Sequence, residues 1–248
     1  MTLEQFFAEN REVAVAFSGG VDSAYLLYAA TRYAARVKAY YVSTAFQPSF
    51  ELEDARRLAN ELGADMQVLH VDVLMSGAVV ANPPDRCYHC KNTLFRQILR
   101  AAESDGFSLL LDGTNASDDA GDRPGMRALR ELSVRSPLRE CGLTKAEIRR
   151  LSREAGLFTW DKPAYACLAT RIRAGEEITL QKLKQTEKAE GSLFGLGFRD
   201  FRVRMVDNTA KLELRETDLP LLLENREKIV TELRKDYDSV LLNLEVRK

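Results

Sequence analysis

The chain is poor in the residues that staple small secreted folds. Only 4 of its 248 residues are cysteine, 7 are proline, 2 are histidine and 1 is tryptophan. Four cysteines in that length are too sparse for a disulfide framework. No sign of charge dominates: 36 basic and 37 acidic side chains leave a formal net charge of −1. A domain that grips tRNA or DNA through bulk electrostatics usually shows a basic excess, so nucleic acid is not the expected partner. Apolar runs are short, and Arg32 and Lys38 interrupt the best of them. None approaches the roughly 18 residues of a membrane span. The start of the chain carries Glu4 and Glu9 and lacks a basic segment followed by an apolar one. A signal peptide is therefore not expected, and the cytoplasm is the expected compartment. Repeats, low-complexity tracts and Pro/Gly/Ser-rich linkers are also missing, so any domain boundary is soft. The composition that remains, 45% hydrophobic and 29% charged, is globular. A chain of this size buries roughly 70–75% of its unfolded surface, enough for a real core.

The first 170 residues or so alternate short apolar runs with longer periodic ones. Strands are expected at Val13–Phe17, Val37–Val42, Met66–Val71 and Ser108–Leu111, with helices at Asp22–Ala35, Glu51–Leu62 and Lys91–Glu103. Strands separated by helices indicate a doubly wound parallel α/β sheet. Thr144 followed by Glu147 is a helix-start signal, and that helix stops before Gly156. Beyond Arg173 the pattern changes. A helix at Leu180–Leu193 precedes an alternating pair, Phe201–Val206 and Lys211–Arg215, around the turn Asp207–Asn208. A helix at Leu219–Leu233 and a strand at Ser239–Val246 follow. These segments predict a sheet domain over 1–174 and a small α+β domain over 175–248.

The sharpest local feature is SGGVDS, Ser18–Ser23, set between a strand and a helix. Gly19 and Gly20 let the backbone approach an anion. The helix start offers unpaired N–H groups and a positive dipole end. Ser18 and Ser23 add hydroxyls, and Asp22 could cap the helix or hold Mg²⁺ beside phosphates. The lysine of a Walker A loop and the GxGxxG of a dinucleotide fold are both absent. SGGVDS resembles the PP-loop of the ATP pyrophosphatase superfamily, whose members form an adenylate and release pyrophosphate. A second polar loop, Asp112–Gly125, leaves the end of the fourth strand, where ligands bind in such sheets. It carries Gly113, Asp118, Asp119, Asp122 and Arg123.

Cys87 and Cys90 form CYHC after a Pro-bearing loop, and Cys167 lies in PAYACLATR. In a reducing compartment CxxC points to a metal or redox role. Zinc would need four ligands, which His89 could complete on paper. Three thiolates with an open position instead suit an iron–sulfur cluster. Cys141 reads as a structural thiol and His70 as a core or strand-end histidine. Lys91, read as lying at a helix start where a cation opposes the dipole, weakly suggests a site role. Arg202 and Arg204, two apart on a strand, share a face and could fork a phosphate or carboxylate, or pair with Glu213.

Together SGGVDS, RCYHCK, LDGTNASDDAGDRPG, SPLRECGLTKAEIR and WDKPAYACLATRI resemble the LarE family, and LGFRDFRVRM extends the likeness over nearly the whole chain. The resemblance implies an ATP-dependent sulfur transferase. It would adenylylate the carboxylates of a pyridinium biscarboxylic acid mononucleotide and convert them to thiocarboxylates for the nickel-pincer nucleotide cofactor of lactate racemase. ATP and Mg²⁺ would be bound by Ser18, Gly19, Gly20, Asp22 and Ser23, with Ser43, Gly113, Asp122 and Arg123 around the nucleotide. Arg171, Arg202 and Arg204 would meet the substrate. Some members sacrifice one cysteine, which aligns with Ala166 here. Cys87, Cys90 and Cys167 instead match the version that holds a [4Fe–4S] cluster, with Lys91 and Arg171 beside the chemistry. A sacrificial Cys167 is the alternative. A homo-oligomer, a hexamer by resemblance, is expected. The rival readings are a tRNA thiolase, an amidating ligase, and a nucleotide-sensing module with structural zinc.

Overall fold

The computed structural model describes residues 1–118 and 124–247. In chain order the elements are α1 (Leu3–Glu9), β1 (Glu12–Ala16), α2 (Val21–Tyr33), β2 (Arg36–Ser43), α3 (Ser49–Glu61), β3 (Met66–His70) and the short α4 (Gly77–Val80). Then come α5 (Arg86–Ser104), β4 (Leu110–Leu111), α6 (Pro124–Glu131), the short α7 (Pro137–Glu140), α8 (Lys145–Glu154) and α9 (Leu180–Gly195). The chain ends with β5 (Arg202–Val206), β6 (Thr209–Glu213), α10 (Leu219–Glu224), α11 (Arg226–Leu233) and β7 (Ser239–Leu242). Two compact units result: Met1–Val73 with Asp85–Lys162, and Leu74–Pro84 with Pro163–Lys248.

The first unit holds the expected parallel sheet, in the order β3-β2-β1-β4. Side chains alternate across a strand, and β1 shows how that builds two apolar layers. Val13 and Val15 join Phe6, Leu27, Leu58 and Ile148 on one face. Ala14 joins Tyr40, Ile98 and Leu110 on the other. Parallel pairing sends all four strand ends the same way. The turns after β1, β2 and β4 therefore emerge along one edge of the sheet, the ligand-binding edge of doubly wound folds.

Two expected helices differ. The one expected from Lys91 begins at Arg86, directly after Asp85. Pro83 and Pro84 bar an earlier start, but nothing bars Arg86, so CYHC lies on the helix rather than at a loop end. Lys91 is then inside the helix, and its conflict with the dipole disappears. The single helix expected over Leu219–Leu233 breaks at Asn225, which ends α10 and begins α11. The Asn225 side chain donates to the Leu221 carbonyl at 3.0 Å, competing with the helix's own backbone bonds.

The second unit is a β5-β6-β7 sheet with an antiparallel hairpin and β7 parallel to β6. Val203, Met205, Ala210 and Leu212 pack with Leu193 of α9 and with Ile229 and Leu233 of α11. This unit starts at Pro163, before the compositional change near 175, and takes in Leu74–Pro84. Backbone bonds explain that inclusion: Ile178 donates to the Val80 carbonyl at 2.9 Å and Gly175 to the Asn82 carbonyl at 2.8 Å. The Asn82 amide reaches the Arg173 carbonyl, also at 2.8 Å. Hydrogen bonds of this kind leave no mark on composition.

Asp105, following α5, fastens that connection to β2. Lys38 Nζ lies 2.8 Å and the Tyr40 hydroxyl 2.6 Å from its carboxylate. The Lys38 bond, then the Tyr40 bond, hold the Asp105 carboxyl below its ordinary 3.8. A depressed carboxylate stabilises the fold above the unfolded value, and that contribution fades as pH falls through the folded one. Asp105→Asn is expected to lower the thermal midpoint at pH 7 and to match the parent once the pH is well below 3.8. Melts across acid pH check this; a pH-independent difference would contradict it.

Candidate functional site

Ser18–Ser23 joins β1 to α2 through Gly19, whose φ is +73°. A Cβ there would sit 3.3 Å from the Ala55 Cβ and 3.4 Å from the Glu51 carbonyl oxygen, so conformation and space both require glycine. The Ser18 and Ser23 hydroxyls are 3.0 Å apart. Ser23 Oγ also accepts from the Ser18 amide and donates to the Gly20 carbonyl, both at 3.2 Å. Gly20 occupies the N-cap of α2 and supplies no capping side chain. The first-turn amides of α2 are thus left for an anion, with the positive end of the helix dipole behind them.

Asp22, in that first turn, pairs with Lys145 at 2.6 Å through Oδ2. Its Oδ1 is buried with no hydrogen-bond partner among the described residues. Burial pushes the Asp22 carboxyl above its ordinary value, although Lys145 pulls the other way. Lys145 is the first residue of α8, placed there by the capping box between Thr144 and Glu147. That cap is legible in the sequence, whereas the pairing of Lys145 with Asp22 is not. One signal was available: a cation in the first turn of a helix opposes the dipole, so some other contact has to justify it.

The second polar loop meets the first without a side chain between them. A Cβ on Gly113 would fall 2.8 Å from the Ser23 amide nitrogen and 3.1 Å from its Cα. The loop's nearby carboxylates serve the loop itself: Asp112 accepts from the Thr114 and Ser136 hydroxyls, and Asp118 accepts from the Asn115 amide at 2.9 Å. Ser43 ends β2, in register with the exposed His70 at the end of β3. Asp119, Asp122 and Arg123 lie outside the described residues. Ser18, Gly19, Gly20, Asp22, Ser23 and Gly113 therefore lie together, with Lys145 beside them.

Cys87 and Cys90 stand one helical turn apart on α5, Cys87 exposed and Cys90 half-buried. Residues three apart on a helix share a face. Lys91 packs by its aliphatic stem where a Cβ on Gly125 would lie, 3.1 Å away. Cys167 belongs to the second unit. Among the described residues, neither unit gathers three or more His, Cys, Asp or Glu side chains into a metal site. Cys141 packs against the first unit's core, and burial pushes its thiol pKa up, as suits a structural role.

In the second unit the three expected arginines have unlike surroundings. Arg171 is 1% exposed, and Glu190, equally buried, accepts from its Nε at 2.7 Å and its Nη2 at 3.0 Å. Arg171 Nη1 donates to the Ala166 carbonyl and the Thr170 hydroxyl. Its guanidinium thus faces protein on each side. Arg204 pairs with Glu213 at 2.7 Å and donates to the Thr170 carbonyl at 2.7 Å. Arg202 has no hydrogen-bond or ion-pair partner among the described residues. Burial, with Arg247, Arg171 and Arg204 nearby, pushes its pKa down. A half-buried cation among cations is an electrostatic vacancy for an anion.

A parallel sheet with a glycine-bent, uncapped helix start at its binding edge defines a PP-loop α/β enzyme that handles nucleotide phosphates. The comparisons agree and go further. Residues 4–115 match the asparagine synthase family. An uncharacterized protein of Synechocystis is 39% identical over 215 residues, 86% of this chain and 80% of that one. The pyridinium-3,5-bisthiocarboxylic acid mononucleotide synthase of Lactiplantibacillus plantarum is 34% identical over 217 residues, 87% of this chain and 79% of its own. An uncharacterized protein of Methanocaldococcus jannaschii is 30% identical over 240 residues, 96% and 91% of the two chains. The chain belongs to the family of that synthase, the LarE family. Among the described residues no helix is long and apolar enough to cross a membrane.

Gly113→Ala tests the meeting of the two loops. Backbone on both sides cannot yield to a methyl 2.8 Å from an amide nitrogen. Overpacking of this kind costs about 1–3 kcal/mol. A lower thermal midpoint and weaker ATP binding by calorimetry are expected; a variant that melts and binds like the parent would contradict the close approach.

Proposed function

We propose that this chain is an ATP-dependent sulfur transferase acting on pyridinium-3,5-biscarboxylic acid mononucleotide. It adenylylates the carboxylates and exchanges the activated oxygen for sulfur, on the way to the nickel-pincer nucleotide. The observation that supports this most is the uncapped start of α2, with Ser18, Ser23 and the Asp22–Lys145 pair around it, in a chain 34% identical to a synthase of the thiocarboxylate product.

In the first step a substrate carboxylate oxygen attacks the α-phosphorus of ATP, and pyrophosphate leaves. Negative charge grows on the departing group. The α2 amides and Lys145 are donors already in place, so they stabilise it without reorganising. Asp22 suits Mg²⁺, because its Oδ1 is a buried oxygen donor with no hydrogen-bond partner among the described residues. The ion would neutralise phosphate charge there. In the second step a sulfur nucleophile attacks the acyl carbon and AMP departs. Arg202, whose guanidinium has no hydrogen-bond or ion-pair partner among the described residues, holds the substrate's phosphate or a carboxylate.

The sulfur source in this reading is a [4Fe–4S] cluster on Cys87, Cys90 and Cys167. The spacing of the first two on one turn of α5 supports two ligands. Neither unit alone assembles three such donors among the described residues. A sacrificial Cys167 is the second reading, favoured by its position one residue from the family's sacrificial cysteine. A homo-oligomer belongs to the same proposal.

Two measurements test it. Pyrophosphate release should depend on the carboxylate nucleotide and fall roughly 100-fold in Lys145→Ala, the loss usual for one preorganised donor; release that ignores the nucleotide would contradict the function. Anaerobically purified protein should carry iron and sulfide, lost in Cys87→Ser. Iron-free protein that thiolates once and ends about 34 Da lighter at Cys167 would replace the cluster with the sacrificial reading.

A further inference from the structure

Glu190 receives more hydrogen bonds than an ion pair needs. Besides Arg171, its Oε1 accepts from the Val203 amide at 2.9 Å, and its Oε2 accepts from the Tyr165 hydroxyl. The four donors come from three places. Tyr165 lies two residues before Cys167, Arg171 four residues after it, and Val203 between Arg202 and Arg204 on β5. The Arg171 guanidinium also stacks over the Tyr165 ring, 4.8 Å from its centroid.

The outer edge of β5 explains why a carboxylate is used. β6 pairs with β5 on one side only, and the other side presents backbone groups that need partners. Met205 bridges to Ile172 there, and the Val203 amide is met by Glu190. Further bonds tie the same pieces together: Arg171 Nη1 to the Ala166 carbonyl at 3.0 Å, and Arg204 Nη1 to the Thr170 carbonyl at 2.7 Å. A buried carboxylate that accepts four hydrogen bonds holds a fixed geometry, and loss of one partner is felt by the others.

We propose that Glu190 is the positioning residue of sulfur transfer: one buried carboxylate that sets the segment carrying Cys167 at a fixed separation from the arginine strand that receives the substrate. Arg171 acts with it as a strut rather than as a substrate contact, and Tyr165 completes the clamp. Glu190 touches neither reactant. The inference rests on the proposed roles of Cys167 and Arg202, so its test includes readouts that do not depend on the reaction.

Three variants of the full chain test it: Glu190→Gln, Glu190→Asp and Tyr165→Phe. In Glu190→Gln, backbone hydrogen exchange over 163–172 should accelerate while α2 and β1 keep parental protection. Cys167 should react faster with iodoacetamide at constant pH. ATP affinity should stay parental, and thiocarboxylate formation should fall roughly 100-fold, the usual penalty for a misplacement of about 1 Å. Glu190→Asp, which keeps the charge, should recover part of the rate. Tyr165→Phe, which removes one donor of four, should show the same changes more weakly, and serves if Glu190→Gln does not fold. A folded Glu190→Gln protein with parental exchange over 163–172 and parental Cys167 alkylation would overturn the proposal, whatever the chain's reaction proves to be. Altered exchange in a chain that thiolates nothing would keep the clamp and remove the proposed function instead.

Discussion

Among the described glycines, the one with least room for a side chain lies between two stretches of backbone. Gly113 leaves so little room above the Ser23 amide that a single methyl would lie 2.8 Å from the nitrogen. That approach exists because β4 pairs directly with β1, so the turns that follow them emerge side by side. The serine hydroxyls, the open amides of α2 and the Asp22–Lys145 pair all take their places relative to that contact. Without it the two loops would be separate surface turns, and the proposed phosphate site would lose one wall.

Both units hold charge in a state that a ligand would relieve. Asp22 is a carboxylate raised by burial and only half satisfied by Lys145. Arg202 is a guanidinium lowered by burial and by neighbouring arginines. Uncompensated buried charge destabilises a fold, and such exceptions cluster where a protein binds something. A cation relieves the first and an anion the second. The Arg171–Glu190 pair is the contrasting case. It is buried and fully bonded, and breaking a pair of that kind costs about 3–5 kcal/mol. It gives shape rather than affinity.

Much of this was legible in the chain itself. Periodicity located the four parallel strands, and SGGVDS between strand and helix marked the glycine turn and the uncapped helix start, because both signals are local. Arg202 and Arg204 were legible as a pair on one face. Their difference was not, since it depends on which guanidinium reaches Glu213. The same holds for Arg171, whose position after Cys167 suggests a substrate contact but whose partner lies nineteen residues on, across a helix. Lys145 was hidden by a separation of 123 residues from Asp22. The segment Leu74–Pro84 joins the second unit through backbone bonds that no side-chain pattern announces. The helix start at Arg86 was masked by the prolines before it, which look like loop until their end.

The proposed reaction is oxygen-to-sulfur exchange driven by ATP. It is tested most directly by mass spectrometry of pyridinium-3,5-biscarboxylic acid mononucleotide after anaerobic incubation with the protein, Mg²⁺–ATP and sulfide. Product carrying the mass increase of sulfur for oxygen is expected, formed together with AMP and pyrophosphate and absent without ATP. Nucleotide recovered at its original mass, from folded protein that binds ATP, would contradict it.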